Sequence, residues 1–249
     1  MSTDSYISSA EFYDVIYTAM KDYKAESERA FAIAQEFSDA WSWPWPQTTR
    51  LLDVACGTGL HLEHFRMMFS HVEGLDLSEN QLAIAKMRLP GVSLHRADMH
   101  NFSLGRKFEV ITCMFSAIGY ARTYQDLCNV ANTIAKHLVP GGVVIIEPWI
   151  LPEDWRDGEM HMQVIDTSEL KLVRMNRSSS QGRMSVLDMH YLFLRRNDDA
   201  PTHFRERHLL MMHSKEEYLQ ALEQAGFNAY FVANDYRGYV VGVLPTLSY

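Results

Sequence analysis

Arg50-Leu-Leu-Asp-Val-Ala-Cys-Gly-Thr-Gly-Leu60 is the stretch that decides the fold of this chain. It reads as a buried strand that ends on an acidic residue, Asp53, and turns through Gly57-x-Gly59 into a helix. Two further signals follow: Val72-Glu-Gly-Leu-Asp-Leu-Ser78 and then Ala97-Asp-Met99. Asp53, Asp76 and Asp98 therefore stand at or near the ends of successive apolar runs. In an open α/β sheet that edge is where ligands bind.

Around this stretch, strand-like and helix-like segments alternate. Strands are expected at 50–55, 72–76, 92–95, 108–114 and 143–146, and helices at 22–37, 60–68, 78–88 and 124–137. Pro140-Gly-Gly142 is expected to stop the last of these helices. The alternation predicts an α/β fold with a doubly wound, mostly parallel sheet.

The character changes after Pro152. Glu169–Arg174, Met184–Phe193 and Glu206–Met212 read as strands of an antiparallel meander covering one edge. Ser178–Gly182 and Asn197–Pro201 are expected as the turns between them. Ser214-Lys-Glu-Glu217 predicts a capping box that opens a helix closed by Gly226. Strands near 228–233 and 238–243 would then return to the main sheet. The expected division is a main domain, 1–152 plus 213–249, with an N-terminal helical lid, and a β insertion at 153–212. Trp41-Ser-Trp-Pro-Trp-Pro46 reads as a loop, either a lid or packing over a helix end.

Composition narrows the class of function. A net charge of −8 argues against nucleic acid as the partner, which asks for a basic face. Three cysteines without CxxC spacing suit reduced thiols in a cytoplasmic protein. The N-terminus lacks the basic and apolar regions of a signal peptide, and no apolar run reaches the ~20 residues of a membrane span. No metal-ligand spacing is evident.

The glycine turn separates two kinds of nucleotide ligand. A dinucleotide site asks for a third glycine and seats an anionic pyrophosphate over the helix N-terminus. Here the third position is Leu62, and Asp53 just upstream would repel a pyrophosphate. Asp76 is placed to take both ribose hydroxyls, with Leu77 beside it. Asp98 and Met99 are placed to meet an adenine edge. The pattern suits a ligand with adenosine and positive charge but no phosphate, such as S-adenosylmethionine (SAM).

At these residues the chain resembles the class I SAM-dependent methyltransferases. Asp53 to Gly59 is similar to their first motif, with Asp53, Ala55, Gly57 and Gly59 at its binding positions, and Leu75-Asp76 to the ribose-binding motif. Ala97-Asp-Met99 is similar to the adenine motif and His137–Val143 to the late helix–turn–strand. The flanks resemble a narrower group, the N,N-dimethyltransferases of TDP-linked 3-amino-3,6-dideoxyhexoses, of the desosamine and mycaminose type. The resemblance is carried by Phe12-Tyr-Asp14, Lys21-Asp-Tyr23, Phe102–Phe108, Cys113–Ser116, Ile118-Gly-Tyr120, Glu147-Pro-Trp149, Arg237-Gly238 and Gly242–Pro245. Ile150, Tyr236 and the tryptophan-rich loop depart from that group's pattern near the presumed acceptor pocket.

The resemblance implies methyl transfer to an amine, with S-adenosylhomocysteine as the second product and a TDP-amino sugar as acceptor. Because a sulfonium methyl is already activated, the protein's task is orientation. Tyr13 and Tyr23 are expected to close over the cofactor, stabilise its charge or orient the amine, or else to pack a helix on the core. Met114 and Phe115 are expected in the cofactor pocket. Tyr120 is expected to position the amine, Glu147 to accept a hydrogen bond from it, and Trp149 to face a ring. His190 and Arg237 are expected at the substrate, and Arg174, Arg177, Arg205, Arg207 and His208 are further candidates for its phosphates. Two alternatives stay open: transfer to another small-molecule amine or hydroxyl, and a SAM-fold module that binds without turnover. A homodimer through the meander is also expected.

Overall fold

Strand β1 (Arg50–Val54) is buried along both faces and lies at the centre of a seven-stranded sheet. The computed structural model describes residues 10–38, 48–234 and 237–246, without the side chains of Ala10 and Glu11. The tryptophan-rich loop and Tyr236 lie outside the described residues.

Parallel strands β2 (His71–Asp76) and β3 (Ser93–Arg96) run outward on one side of β1. β4 (Phe108–Cys113) and β5 (Leu138–Ile146) run outward on the other. The chain therefore reverses its winding between β1 and β4, the switch point at which α/β sheets bind ligands. β11 (Tyr239–Val243) adds antiparallel to β5, and β10 (Asn228–Val232) antiparallel to β11.

Alternate residues of each central strand enter opposite cores. Leu52, Ile111 and Val144 face helices α5 (Tyr124–His137) and α6 (Lys215–Gln224). Leu51, Val110 and Val143 face the other core, which includes Ala30 and Ile33 of α2 (Tyr23–Phe37) and Leu62 and Phe65 of α3 (Leu60–Phe65). On α5 the residues Leu127, Val130, Ala131 and Ile134 form one buried stripe. Each of its larger side chains contributes roughly 1.5–3 kcal/mol by leaving water. The capping box at Ser214 and Glu217 is present and opens α6. Helix α4 (Glu79–Arg88) follows β2, with Ser78 as its N-cap.

Two expectations change. Pro140-Gly-Gly142 does not end α5, which stops at His137. The segment lies within β5, where a register shift opposite Phe108 and Val110 absorbs it. The meander has four strands rather than three, in the order β6 (Met160–Asp166), β7 (Leu170–Gln181), β8 (Met184–Arg195) and β9 (Thr202–Met211). Ser178–Gln181 belongs to β7, and the hairpin turns only at Gly182-Arg183, where Gly182 has φ +62°. The meander does not flank an edge of the main sheet. It packs on α1 (Ala10–Thr18) through Phe12 and Ile16, and on the short 3-10 turn Ala117–Tyr120 beyond β4.

Candidate active site

The carboxyl ends of β1 to β4 enclose a cavity. Its wall includes Ala55 and Gly57 from the first turn, Asp76, Leu77 and Ser78 after β2, Asp98 and Met99 after β3, and Met114 and Phe115 after β4. Tyr13 of α1 and Tyr120 of the 3-10 turn complete it.

Backbone geometry explains the residues of the first turn. Gly57 has φ +57°, and only Gln81 Oε1, at 3.8 Å, would meet a Cβ there, so its backbone is open to a ligand. Gly59 lies outside the wall. Its φ is +81°, and a Cβ would sit 2.6 Å from Leu89 Cδ1, so it is glycine for helix packing rather than for ligand contact. Ala55, Phe115 and Ser116 also have positive φ, at 58°, 54° and 60°. Such backbone costs on the order of 1–3 kcal/mol each and persists where its surroundings hold it.

What holds Phe115 is Glu147. Its Oε2 accepts the Phe115 N–H at 2.7 Å, and its Oε1 lies 3.3 Å from Lys21 Nζ. Lys21 also pairs with Glu26 at 3.0 Å and stands 4.0 Å over the Phe115 ring. Glu147, expected to accept a hydrogen bond from the acceptor, is buried and does not line this cavity. Tyr23 does not line the cavity either. It is buried against His61 and Phe115 and packs α2 onto the core.

Asp53 sits below the floor. It is paired in register with Thr112, whose hydroxyl donates to its Oδ1 at 2.8 Å. Burial raises its pKa to about 6, against the lowering influence of nearby His61 and the Thr112 hydrogen bond. Asp53, expected to bind the cofactor, is thus buried and does not itself line the cavity. Asp76 does line the cavity. Its Oδ2 accepts the Gly57 N–H at 2.9 Å and its Oδ1 the Ser78 N–H at 2.8 Å. Burial raises its pKa and those backbone donors oppose the rise. Asp98 accepts the His100 N–H at 3.0 Å and pairs with His100 Nδ1 at 2.5 Å. Burial works against its charge, but the His100 contacts prevail and its pKa is lowered.

Gln81 and His100 also line this cavity and were not among the residues read from sequence. Gln81 Oε1 and His100 Nε2 are buried without a protein hydrogen-bond partner. Buried polar atoms are rarely left so. Two of them in the wall of one cavity, beside two aspartates and the apolar Leu77, Met99 and Met114, fit a ligand with both polar edges and apolar surface. Adenosine and a thioether-like chain meet that description.

Helix α1 is fastened over the site. Asp14 accepts from Thr58 Oγ1 at 2.5 Å and from Arg88 at 2.5 Å, while Arg88 also donates to the Thr58 carbonyl at 2.6 Å. Tyr13, next in sequence to Asp14, packs on Tyr17 at 4.6 Å. Burial raises its pKa, so the phenol stays neutral.

The meander's inner face meets the site at Tyr120, whose hydroxyl is 2.7 Å from His208 Nδ1. Arg174, Tyr191, Glu206 and His208 are buried there. His190 points the other way. It is exposed and stacked on His203 at 5.3 Å, away from the inner face that carries His208. Arg177, Arg205 and Arg207 face solvent too. Arg174 alone of these arginines turns inward, donating to Tyr17 Oη at 2.9 Å. Trp149 and Arg237 do not line the cavity but engage each other. Arg237 lies 4.8 Å over the Trp149 ring and donates to Ser116 Oγ at 2.7 Å, and Trp149 Nε1 donates to Ser185 at 2.9 Å. They tie the end of β5 to the meander.

A doubly wound sheet with this cavity at its switch point defines a class I SAM-dependent methyltransferase. A family model described as a methyltransferase domain matches residues 51–142. The chain is 38% identical, over 90% of its length and 85% of the relative's, to the dTDP-3-amino-3,6-dideoxy-alpha-D-glucopyranose N,N-dimethyltransferase of Streptomyces fradiae. It is 37% identical to the dTDP-3-amino-3,4,6-trideoxy-alpha-D-glucopyranose N,N-dimethyltransferase of Streptomyces venezuelae, over 94% of this chain and 97% of that one. Among solved structures, Streptomyces venezuelae DesVI superposes with a TM-score of 0.87 at 35% identity, covering 96% of this chain and 99% of that one. SAM-bound CalS10, an amino pentose methyltransferase from Micromonospora echinaspora, gives 0.81 at 34% identity, covering 94% and 96%. The chain belongs to the SAM-dependent N,N-dimethyltransferase family that these relatives represent.

Proposed function

We propose that this enzyme transfers methyl groups from SAM to the amino group of a TDP-linked amino deoxysugar. The observation that carries the reading is the contact between Tyr120 and His208. It joins the wall of the cofactor cavity to the polar inner face of the meander, which supports that face as the acceptor side of the site. SAM, when bound, supplies a methyl group already activated on a sulfonium. The chain's own residues then bind and orient.

In this reading Asp76 takes the ribose hydroxyls, its orientation fixed by two backbone donors. Asp98 and His100 meet the adenine edge, with Met99 against its face. Tyr13 and Phe115 bring aromatic surface to the sulfonium end, an attraction of about 0.5–2 kcal/mol each. Asp53 favours positive charge from below the floor. Tyr120 orients the acceptor amine, and Arg174 is the inward-facing cation for the sugar's pyrophosphate.

Two partner assignments belong to the same reading. Met160, Met162, Val164, Met175 and Leu192 expose apolar side chains on the meander, and a second copy of the chain is the partner we assign to that surface. Cys56, Cys113 and Cys128 are buried and unpaired, which suits a reducing cytoplasmic compartment.

The curated relatives include enzymes named for 3-amino and for 4-amino sugars. A panel of TDP sugars carrying the amine at either position, incubated with SAM and followed by S-adenosylhomocysteine release, tests the assignment. Turnover is expected with at least one of them. Turnover confined to amines without a nucleotide, or to hydroxyls, contradicts it.

A further inference from the structure

The contact that joins the cavity wall to the meander also begins a chain of ionisable groups. Tyr120 is half-buried in the cavity wall, and its hydroxyl lies 2.7 Å from His208 Nδ1. Nε2 on the other side of that ring lies 3.6 Å from Glu206 Oε2. His208 and Glu206 expose only 2% and 4% of their side chains. They occupy alternate positions of β9, so both project from its inner face, and the intervening Arg207 faces solvent. The other ionisable groups around this inner face are Arg174 and Tyr191 on β7 and β8, Tyr13 and Tyr17 on α1, and His213, whose Nε2 bonds the Ala121 carbonyl.

A buried imidazole between a phenol at the cavity wall and a buried carboxylate has a direct chemical use. A sugar amine is mostly an ammonium at neutral pH and has no lone pair with which to attack. A phenol alone is a poor proton acceptor there. An imidazole is a good one, and a carboxylate behind it stabilises the imidazolium.

We propose that Tyr120, His208 and Glu206 form a proton relay that deprotonates the acceptor amine before each methyl transfer. The inference rests on the amine-methylating function proposed above. The ammonium N–H donates its proton to the Tyr120 oxygen while the Tyr120 hydroxyl proton passes to His208 Nδ1. The phenol is regenerated, His208 becomes an imidazolium facing Glu206, and the amine keeps the electron pair. That pair forms the new N–C bond to the methyl carbon as the C–S bond breaks and its electrons return to sulfur. His208 returns its proton through Tyr120 to water once product has left. Tyr120 is the catalytic residue of the chain because it touches the substrate. His208 and Glu206 act through it.

The test compares wild type, His208→Gln and Tyr120→Phe in saturating SAM and TDP-amino sugar across roughly pH 6–9. Glutamine keeps a hydrogen-bonding group beside Tyr120 but takes up no proton. For His208→Gln, kcat is expected to fall roughly 10²-fold at pH 7 and to recover as the pH approaches the amine's own pKa. SAM affinity by calorimetry is expected to be unchanged. An acceptor whose amine is neutral at pH 7, made so by a neighbouring fluorine, is expected to restore most of the lost rate. Tyr120→Phe, which removes one oxygen only, is expected to show the same dependence on pH and on amine basicity, and it carries the test if the histidine variant does not fold. A variant with the wild-type pH profile, or one equally impaired on the neutral amine, overturns the relay. If wild type itself methylates no amine, the underlying function fails, a result read before any variant is made.

Discussion

Asp76 Oδ2 accepts the backbone N–H of Gly57 at 2.9 Å, so the carboxylate that ends β2 also fixes the turn that ends β1. Through Oδ1 the same group holds the start of α4 at Ser78. Asp76→Ala therefore removes two loop contacts together with the ribose contact proposed for it. SAM affinity is expected to fall by roughly 1–3 kcal/mol in titration calorimetry. Unchanged binding would take Asp76 out of the cofactor site.

Asp14 links Thr58 of the glycine turn to Arg88 of α4 and so pins α1 above the cavity. Arg88→Ala leaves the Asp14 carboxylate with one partner fewer and loosens the helix that carries Tyr13. Amide exchange within 10–18 is expected to quicken, and SAM affinity to weaken by about 1–2 kcal/mol, a factor of roughly 5–30. Quickened exchange without any change in affinity would mean that α1 covers the cavity without contributing to it.

Glu147 discriminates a structural from a chemical role. It is buried, bonded to Phe115 N–H and paired with Lys21. Glu147→Gln breaks a buried pair, and denaturant unfolding is expected to show a loss of about 3 kcal/mol. The folded fraction is expected to keep most of its kcat. Full stability with collapsed kcat would return Glu147 to the chemistry.

Asp53 sets a pH dependence of stability. Its pKa is about 6 in the fold, raised first by burial, against an ordinary value near 4 in the unfolded chain. Between those values the folded state holds the proton that the unfolded state has released. The stability contributed by the protonated form is present below about pH 4 and is lost as the pH rises through about 6. Unfolding of wild type compared with Asp53→Asn across that window checks the sign. The difference between them should shift against wild type as the pH rises, and a shift in its favour would refute the assignment.

The main sheet was legible because its signals are local. Apolar runs ending in Asp53, Asp76 and Asp98, each followed by a helical stripe, fix the parallel strands and the edge where they bind. Asp76, Asp98, Met99, Met114, Phe115 and Tyr120 all line the cavity for that reason. Asp53 and Gly59 were adjacent in the motif but serve beneath and behind it, since a turn's tertiary packing is not written in its spacing. On the meander the faces follow from alternation. Met189, Tyr191 and Phe193 are buried on β8, which puts His190 outside, and Glu206, His208 and Leu210 are buried on β9. That signal was present in the sequence, but two strands rich in both polar and apolar residues gave two readable registers. Trp149, Arg237 and Glu147 were expected at the site, but their contacts could not be read, because the partners Ser185, Ser116 and Lys21 are distant in the chain.

On the proposed function, a nitrogen of a nucleotide-linked sugar receives the methyl group. The most direct measurement incubates the enzyme with a TDP-amino deoxysugar and SAM carrying a carbon-13 methyl, then locates the label by NMR. Labelled methyl carbon is expected to be bonded to the sugar nitrogen, progressing from one to two methyl groups, with one S-adenosylhomocysteine released for each. Label on a hydroxyl oxygen, or SAM bound without any transfer, would contradict it.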